Sequence, residues 1–319
     1  MRTDLALEAH QLAQRSTPNI PGVTTDVDAQ EQLTVTRVVV KTESAARLLG
    51  KMQGTYTTIE VPDLRRKDPE LQELVTKRFA LELEPFIRVP ERATVLVIGL
   101  GNWNVTPDAL GPLVVEDLFV TRHLFSLMPE VVNDGFRSLC AVAPGVLGLT
   151  GIETSEIVYG IAERVKPDLV IAVDALAARS IERVNSTIQI ADSGIQPGAG
   201  VGNRRKALNQ DTLGVPVIAV GVPTVLDAAT IASDAIDLLL SHLEDKVPGN
   251  GAGKILNQFS HEEKRTLISE VLQPLGNNLM VTPKEIDEFV EDVAHMVAMG
   301  LNMALHPGMT YDDAMTLTH

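Results

Sequence analysis

The chain has 319 residues, 45% of them hydrophobic, and a formal net charge of −15. That length buries a substantial core in one large domain or two smaller ones. An acidic chain whose basic residues cluster only as Arg204-Arg205-Lys206 has no stripe to track a phosphate backbone, which excludes nucleic acid as a partner. Cys140 is the single cysteine, so no intramolecular disulfide forms. Its apolar neighbours mark it as a buried small hydrophobe. No apolar run approaches the ~20 residues that span a bilayer, and the polar start Met1-Arg2-Thr3-Asp4 lacks a signal peptide's apolar stretch. The expectation is a cytoplasmic protein with no membrane partner.

The first ninety residues are mixed and polar. Residues 4–15 are weakly helical, and Pro18, Pro21 and Gly22 break the pattern. Val35 to Val40 alternates and then runs apolar, which predicts a strand. Thr42, followed by Glu43 to Leu49 and Gly50, reads as an N-capped helix stopped by glycine.

The centre has a different rhythm. Residues 93–99, 168–174 and 215–221 are short runs rich in Val, Ile and Ala, the composition of strands buried on both faces of a parallel sheet. Helical stretches over about 107–128, 153–165 and 224–245 alternate with them, and this predicts a doubly wound, mostly parallel α/β sheet flanked by helices. After the Pro- and Gly-rich break at 248–253 the chain turns helical, and apolar residues from Ile286 to Leu301 recur at helical spacing. The methionines there fill core rather than build a site. The organisation is one domain over 1–319, with an N-terminal arm, a core over 90–245 and C-terminal helices over 254–319.

In open α/β sheets ligands bind beyond the carboxyl ends of the strands, which directs attention to 99–111, 174–202 and 221–227. The first segment, Gly99-Leu100-Gly101-Asn102-Trp103-Asn104, approaches a dinucleotide fingerprint, but Asn104 stands where the third glycine belongs. With Thr106 as N-cap and Pro107 as first helical residue, Asp108 falls in the first turn of a helix. A carboxylate there complements the helix dipole and need do nothing more. The same dipole would hold it ionised, as a general base requires.

Asp174 ends an apolar run, where a carboxylate must be paired, hydrogen-bonded or protonated. It either caps a following helix or works as half of an acid–base pair with Asp108, one carboxyl activating water and the other holding a proton. The glycines between 194 and 202 predict a loop, either solvated or a flap whose Arg204, Arg205 and Lys206 bind acidic side chains. No histidine lies between 124 and 241, so a His-based zinc site or a Ser-His-Asp triad has little support, and neither metal nor cofactor is expected.

The segments Gly99 to Pro112, Ala172 to Arg179, Asn185 to Lys206, Gly221 to Asp227 and Leu279 to Lys284 resemble those of the germination proteases of spore-forming bacteria. The resemblance extends from about Leu5 to Pro307. It implies an atypical aspartic endopeptidase that degrades small acid-soluble spore proteins during germination. A zymogen, a homotetramer, action in the spore core and a fold like that of hydrogenase maturation proteases are also implied. The family's two essential aspartates fall on Asp108 and Asp174. Its substrates are cut after the first acidic residue of a Thr-Glu-x-Ala-x-Glu type sequence, and Thr3-Asp4-Leu5-Ala6-Leu7-Glu8 has that pattern. Autoprocessing is therefore expected between Asp4 and Leu5, with 1–4 as a short propeptide. Thr42-Glu43-Ser44-Ala45 is a partial match better read as a helix cap. The competing readings are a metal-dependent maturation-type peptidase and a non-catalytic α/β ligand-binding module. Of the two aspartates, Asp108 is expected to be the more ionised and Asp174 the proton-holding partner.

Overall fold

The structure, a computed structural model, describes residues 3–132, 135–196, 206–236 and 279–317, with isolated positions between 263 and 271. Its centre is a mixed sheet in the order β1-β2-β3-β7-β8-β6-β4-β5, with β9 paired to β8. The strands are β1 Val23–Ala29, β2 Thr34–Val40, β3 Gly54–Glu60, β4 Thr94–Gly99, β5 Ser138–Val142, β6 Leu169–Ala178, β7 Thr187–Ala191, β8 Val217–Asp227 and β9 Met280–Val281.

One half, β5-β4-β6-β8, is parallel. The other half, running from β8 through β7 and β3 to β1, is antiparallel. The expectation of a mostly parallel sheet is corrected accordingly: the arm contributes three strands and β7 joins them to the parallel half. Parallel strands need crossover connections, and the helices between β4 and β5 and between β5 and β6 supply them for the parallel half; β1 to β2 is a short reversal, which forces antiparallel pairing.

In the central strands β4 and β6 side chains alternate across the sheet and are covered on both faces. Val95, Val97, Leu169, Ile171 and Val173 join one core with helices α3 (Pro69–Leu83), α4 (Leu110–Glu116) and the long helix Ile286–Leu305. Leu96, Ile98, Val170 and Ala172 join the second core, against α1 (Ala6–Ser16), α2 (Glu43–Leu49) and the helix Thr154–Val165. Burial on both faces explains why these strands read as unbroken apolar runs rather than as alternation. Met296 and Met299 are buried in the first core, as their helical spacing predicts. Cys140 is half-buried rather than fully buried, packs beside the second core, and has its thiol pKa pushed up by desolvation.

Local signals held where the chemistry is local. Thr42 caps α2 by accepting from the Ala45 amide at 3.3 Å, and Gly50 ends it at φ 63° in the left-handed region, where glycine carries no Cβ penalty. Two helical expectations needed revision. The stretch 107–128 is a 3₁₀ turn, α4 and a separate helix Arg122–Leu127. The stretch from 224 continues as strand to Asp227 before helix begins at 228; its remainder beyond 236 lies outside the described residues.

Candidate active site

The cavity of about 480 Å³ at the carboxyl ends of β6 and β8 is lined by Asp108, Asp174, Gly221, Thr224 and Thr282 from one side and by Asp4, Lys51 and Gln189 from the other. Its position follows the strand-end rule for open α/β sheets. The segments singled out by sequence thus converge on one place.

Asp108 is delivered by a tight turn. Thr106–Asp108 forms a 3₁₀ turn, and the α-helix starts only at Leu110 with Ala109 as its N-cap. Asp108 therefore precedes α4 instead of standing in its first turn. The loop closes because the Asn102 amide donates to the Asp108 carbonyl at 2.9 Å and Gly101 lets that carbonyl through. A Cβ on Gly101, which has φ 122°, would lie 1.9 Å from the oxygen. A Cβ on Gly111 would likewise lie 2.2 Å from the Leu100 carbonyl oxygen, so these glycines serve close packing rather than a pyrophosphate. The Thr224 hydroxyl donates to the Pro107 carbonyl at 2.6 Å, and the Thr282 hydroxyl donates to the Thr224 carbonyl at 2.9 Å. The turn bearing Asp108 is thereby fastened to β8 and the β9 segment.

Asp174 is 8% exposed and lies inside β6, not at its end. Because the strand runs on to Ala178, Asp174 caps no helix, and that alternative falls. The pairing of β4 with β6 stops at Gly99 and Val173, while β8 continues alongside. In register, Asp174 faces Gly221 of β8, and Gly221 faces Gln189 of β7. Asp174 and Gln189 therefore point to the same face, with their Cα atoms roughly 10 Å apart at ordinary strand spacing. The glycine between them carries no side chain.

Over that gap runs the chain's own N-terminal segment. Asp4 donates its amide to the Ala177 carbonyl and accepts from the Ala177 amide on its carboxylate, both at 2.9 Å. Lys51 Nζ donates to the carbonyls of Thr3 and Asp4 at 3.0 and 2.8 Å. Gln189 accepts from the Ala6 amide at 2.7 Å and donates to the Asp4 carbonyl at 3.2 Å. Leu5 is fully buried. Further along, Glu8 accepts from the amides of Arg179 and Ser180 at 2.7 and 2.9 Å and pairs with Arg183. Desolvation raises the pKa of Asp4 against the opposing pull of Lys51, and desolvation lowers that of Lys51 against the pull of Asp4 and Glu8.

Of the residues singled out in the sequence, Asp108, Asp174 and Asp4 share this cavity. Arg204 and Arg205 lie outside the described residues. Lys206 is exposed and lines a different concavity beside Glu156, Tyr159 and Thr212. Sequence reasoning missed Lys51 and Gln189. Lys51 follows a recognisable helix stop at Gly50, but nothing local shows what it faces. Gln189 falls in a stretch read as loop that is strand β7. Among the described residues no three His, Cys, Asp or Glu side chains converge as a metal site would need.

The fold and cavity define an α/β protein with two carboxylates and a bound peptide segment over the carboxyl-terminal half of its parallel strands, which is an arrangement suited to a peptidase. The germination protease family model matches residues 2–254 and 250–318. Germination proteases of Bacillus cytotoxicus and Bacillus mycoides are each 50% identical to the chain, and one from Bacillus cereus is 51% identical. Each alignment covers 100% of this chain and 97% of the relative. The chain belongs to the germination protease family, and it is a peptidase of that spore-germination group. Among the described residues, no helix is long and apolar enough to cross a membrane.

Proposed function

We propose that the chain is an aspartate-dependent endopeptidase that initiates degradation of small acid-soluble spore proteins in the germinating spore core. Asp108 and Asp174 activate water between them. The observation that carries this reading is that the two aspartates line one cavity with Asp4, which belongs to a segment of substrate-like sequence, Thr3 to Glu8. Asp108, on the turn beside the cavity, takes the base role: it removes a proton from water. Asp174, the more enclosed partner, supplies a proton to the departing nitrogen.

The same chemistry would cut the chain between Asp4 and Leu5, releasing the first four residues as a propeptide and opening the cavity to substrate. Assembly as a homotetramer is part of the proposal through family membership, and contact of Arg204, Arg205 and Lys206 with acidic substrate side chains is part of it through their charge.

The deciding experiment is cleavage of a small acid-soluble spore protein by wild type, Asp108→Asn and Asp174→Asn after exhaustive EDTA treatment. Wild type should keep full activity, and each variant should lose at least ~10³-fold. A folded variant that cleaves at near the wild-type rate sinks the aspartate reading, and loss of wild-type activity on chelation favours a metal peptidase. Intact mass shows the processing step: fully active enzyme that retains its original N-terminus contradicts autoprocessing at Asp4–Leu5.

A further inference from the structure

The Asp4–Leu5 peptide bond is held by side chains on both of its flanks. On the Asp4 side its carbonyl oxygen accepts from Lys51 Nζ at 2.8 Å and from Gln189 Nε2 at 3.2 Å. On the Leu5 side the next amide, that of Ala6, donates to Gln189 Oε1 at 2.7 Å. Because only the oxygen of that carboxamide can accept from an amide, its nitrogen is fixed towards the Asp4 carbonyl. Gln189 and Asp174 meanwhile point to one face of the sheet across side-chain-free Gly221. One carbonyl oxygen thus receives two side-chain donors in the cavity lined by both aspartates.

That is the arrangement needed to stabilise negative charge developing on a carbonyl oxygen, where fixed donors at hydrogen-bond distance act without reorganisation. We propose that Lys51 and Gln189 form the oxyanion-stabilising pair of this peptidase, and that the Asp4–Leu5 peptide occupies it as a substrate peptide does. The inference rests on the aspartate reading above. When water adds to the Asp4 carbonyl carbon, the C=O π electrons move to the oxygen facing Lys51 and Gln189, and an aspartate takes the proton from water. The tetrahedral carbon then expels the Leu5 nitrogen, which receives a proton from the carboxyl pair, leaving an Asp4 carboxylate and a Leu5 amine. Lys51 transfers no proton in these steps and acts as a hydrogen-bond donor through Nζ.

The strongest alternative is that Lys51 merely anchors the N-terminal segment, since it also bonds the Thr3 carbonyl. The two roles separate in kcat and KM, because a group that binds ground and transition states equally changes KM alone. The probe is a synthetic peptide with the sequence of residues 1–10, cleaved in trans by the full chain and followed by mass spectrometry. Lys51→Met should lower kcat by ~10²–10³-fold with KM within about threefold of wild type. Lys51→Arg should recover part of the loss, and Gln189→Leu should cost about tenfold in kcat.

An effect confined to KM, or a kcat within threefold of wild type in both Lys51→Met and Gln189→Leu, overturns the proposal. If Lys51→Met fails to fold, the kcat of Gln189→Leu and Lys51→Arg decides in its place. A wild-type chain that leaves this peptide intact while cutting a spore-protein substrate also overturns it. Asp174→Asn runs in parallel: its retained activity would refute the aspartate reading, whereas its inactivity beside unimpaired Lys51 and Gln189 variants refutes the oxyanion pair alone.

Discussion

The hydroxyl of Thr224 donates to the carbonyl of Pro107 at 2.6 Å, tying the strand beside Asp174 to the turn that carries Asp108. Thr224 is almost fully buried, so its hydroxyl has no ready replacement for this partner. Thr224→Val removes the donor at nearly constant volume and strands a carbonyl. It should cost about 1–2 kcal/mol of stability. Turnover should fall on the order of 10- to 100-fold, because small displacements of a catalytic group are expensive. Urea unfolding and peptide kinetics check both, and unchanged kcat would show that the turn holds Asp108 without this bond.

Gly111 in α4 packs directly on the loop after β4. Its missing Cβ would meet the Leu100 oxygen and nitrogen at 2.2 and 2.5 Å, and rigid backbone cannot step aside as a flexible side chain does. Gly111→Ala should destabilise the fold by about 1–3 kcal/mol, despite alanine's better helix propensity. A denaturant midpoint equal to or above wild type would show that α4 shifts freely.

Glu8 anchors α1 to the exit of β6, accepting from two backbone amides and pairing with Arg183. Glu8→Leu leaves those part-buried donors without their partner and should cost about 1–3 kcal/mol. Much of the loss should be local: hydrogen exchange of residues 6–16 should accelerate well before global unfolding. Protection equal to wild type in α1 would mean that the apolar contacts of Leu5, Ala6 and Ala9 suffice.

His306 is fully buried between Phe119 and Phe136. Its Nδ1 accepts from the Arg137 amide, and its Nε2 donates to the Phe119 carbonyl, each at 3.2 Å. That pairing fixes the neutral ring, and burial pushes its pKa from 6.5 down to about 4. The unfolded chain therefore binds a proton between those values that the folded chain refuses. Stability is complete above about pH 6.5 and falls as pH drops towards 4, by about 3 kcal/mol from this group. Urea midpoints from pH 7 to 4 report the slope. His306→Gln should flatten it, and an unaltered slope would assign the acid sensitivity to the carboxylates.

Much of the site was legible because two of its determinants are local. An aspartate after a β-branched run is conspicuous, and Pro107 before Asp108 marks a turn whatever lies across it. Their setting was less legible. Asp108 was expected in the first turn of a helix because Thr106-Pro107 has the form of a helix start. The loop instead closes through the Asn102 amide and Gly101 and delays the helix to Leu110. Asp174 was expected at a strand end, but β8 and then Asp4 supply hydrogen-bond partners that carry β6 on to Ala178. The glycines after Gln189 hide a strand before them, because β3 and β8, distant in the chain, bond both edges of β7.

By itself, then, the sequence determined the elements with strong local chemistry: the capped helix between Thr42 and Gly50, the doubly buried strands, the amphipathic C-terminal helix and the membership of a peptidase family. Tertiary structure alone decided that half the sheet is antiparallel, that Asp4 lies in the cavity with both aspartates, and that Lys51 and Gln189 meet at one carbonyl oxygen. Strand order and cavity lining depend on pairings between residues far apart in the chain. Such pairings leave no periodic trace, because each partner's pattern is complete without the other.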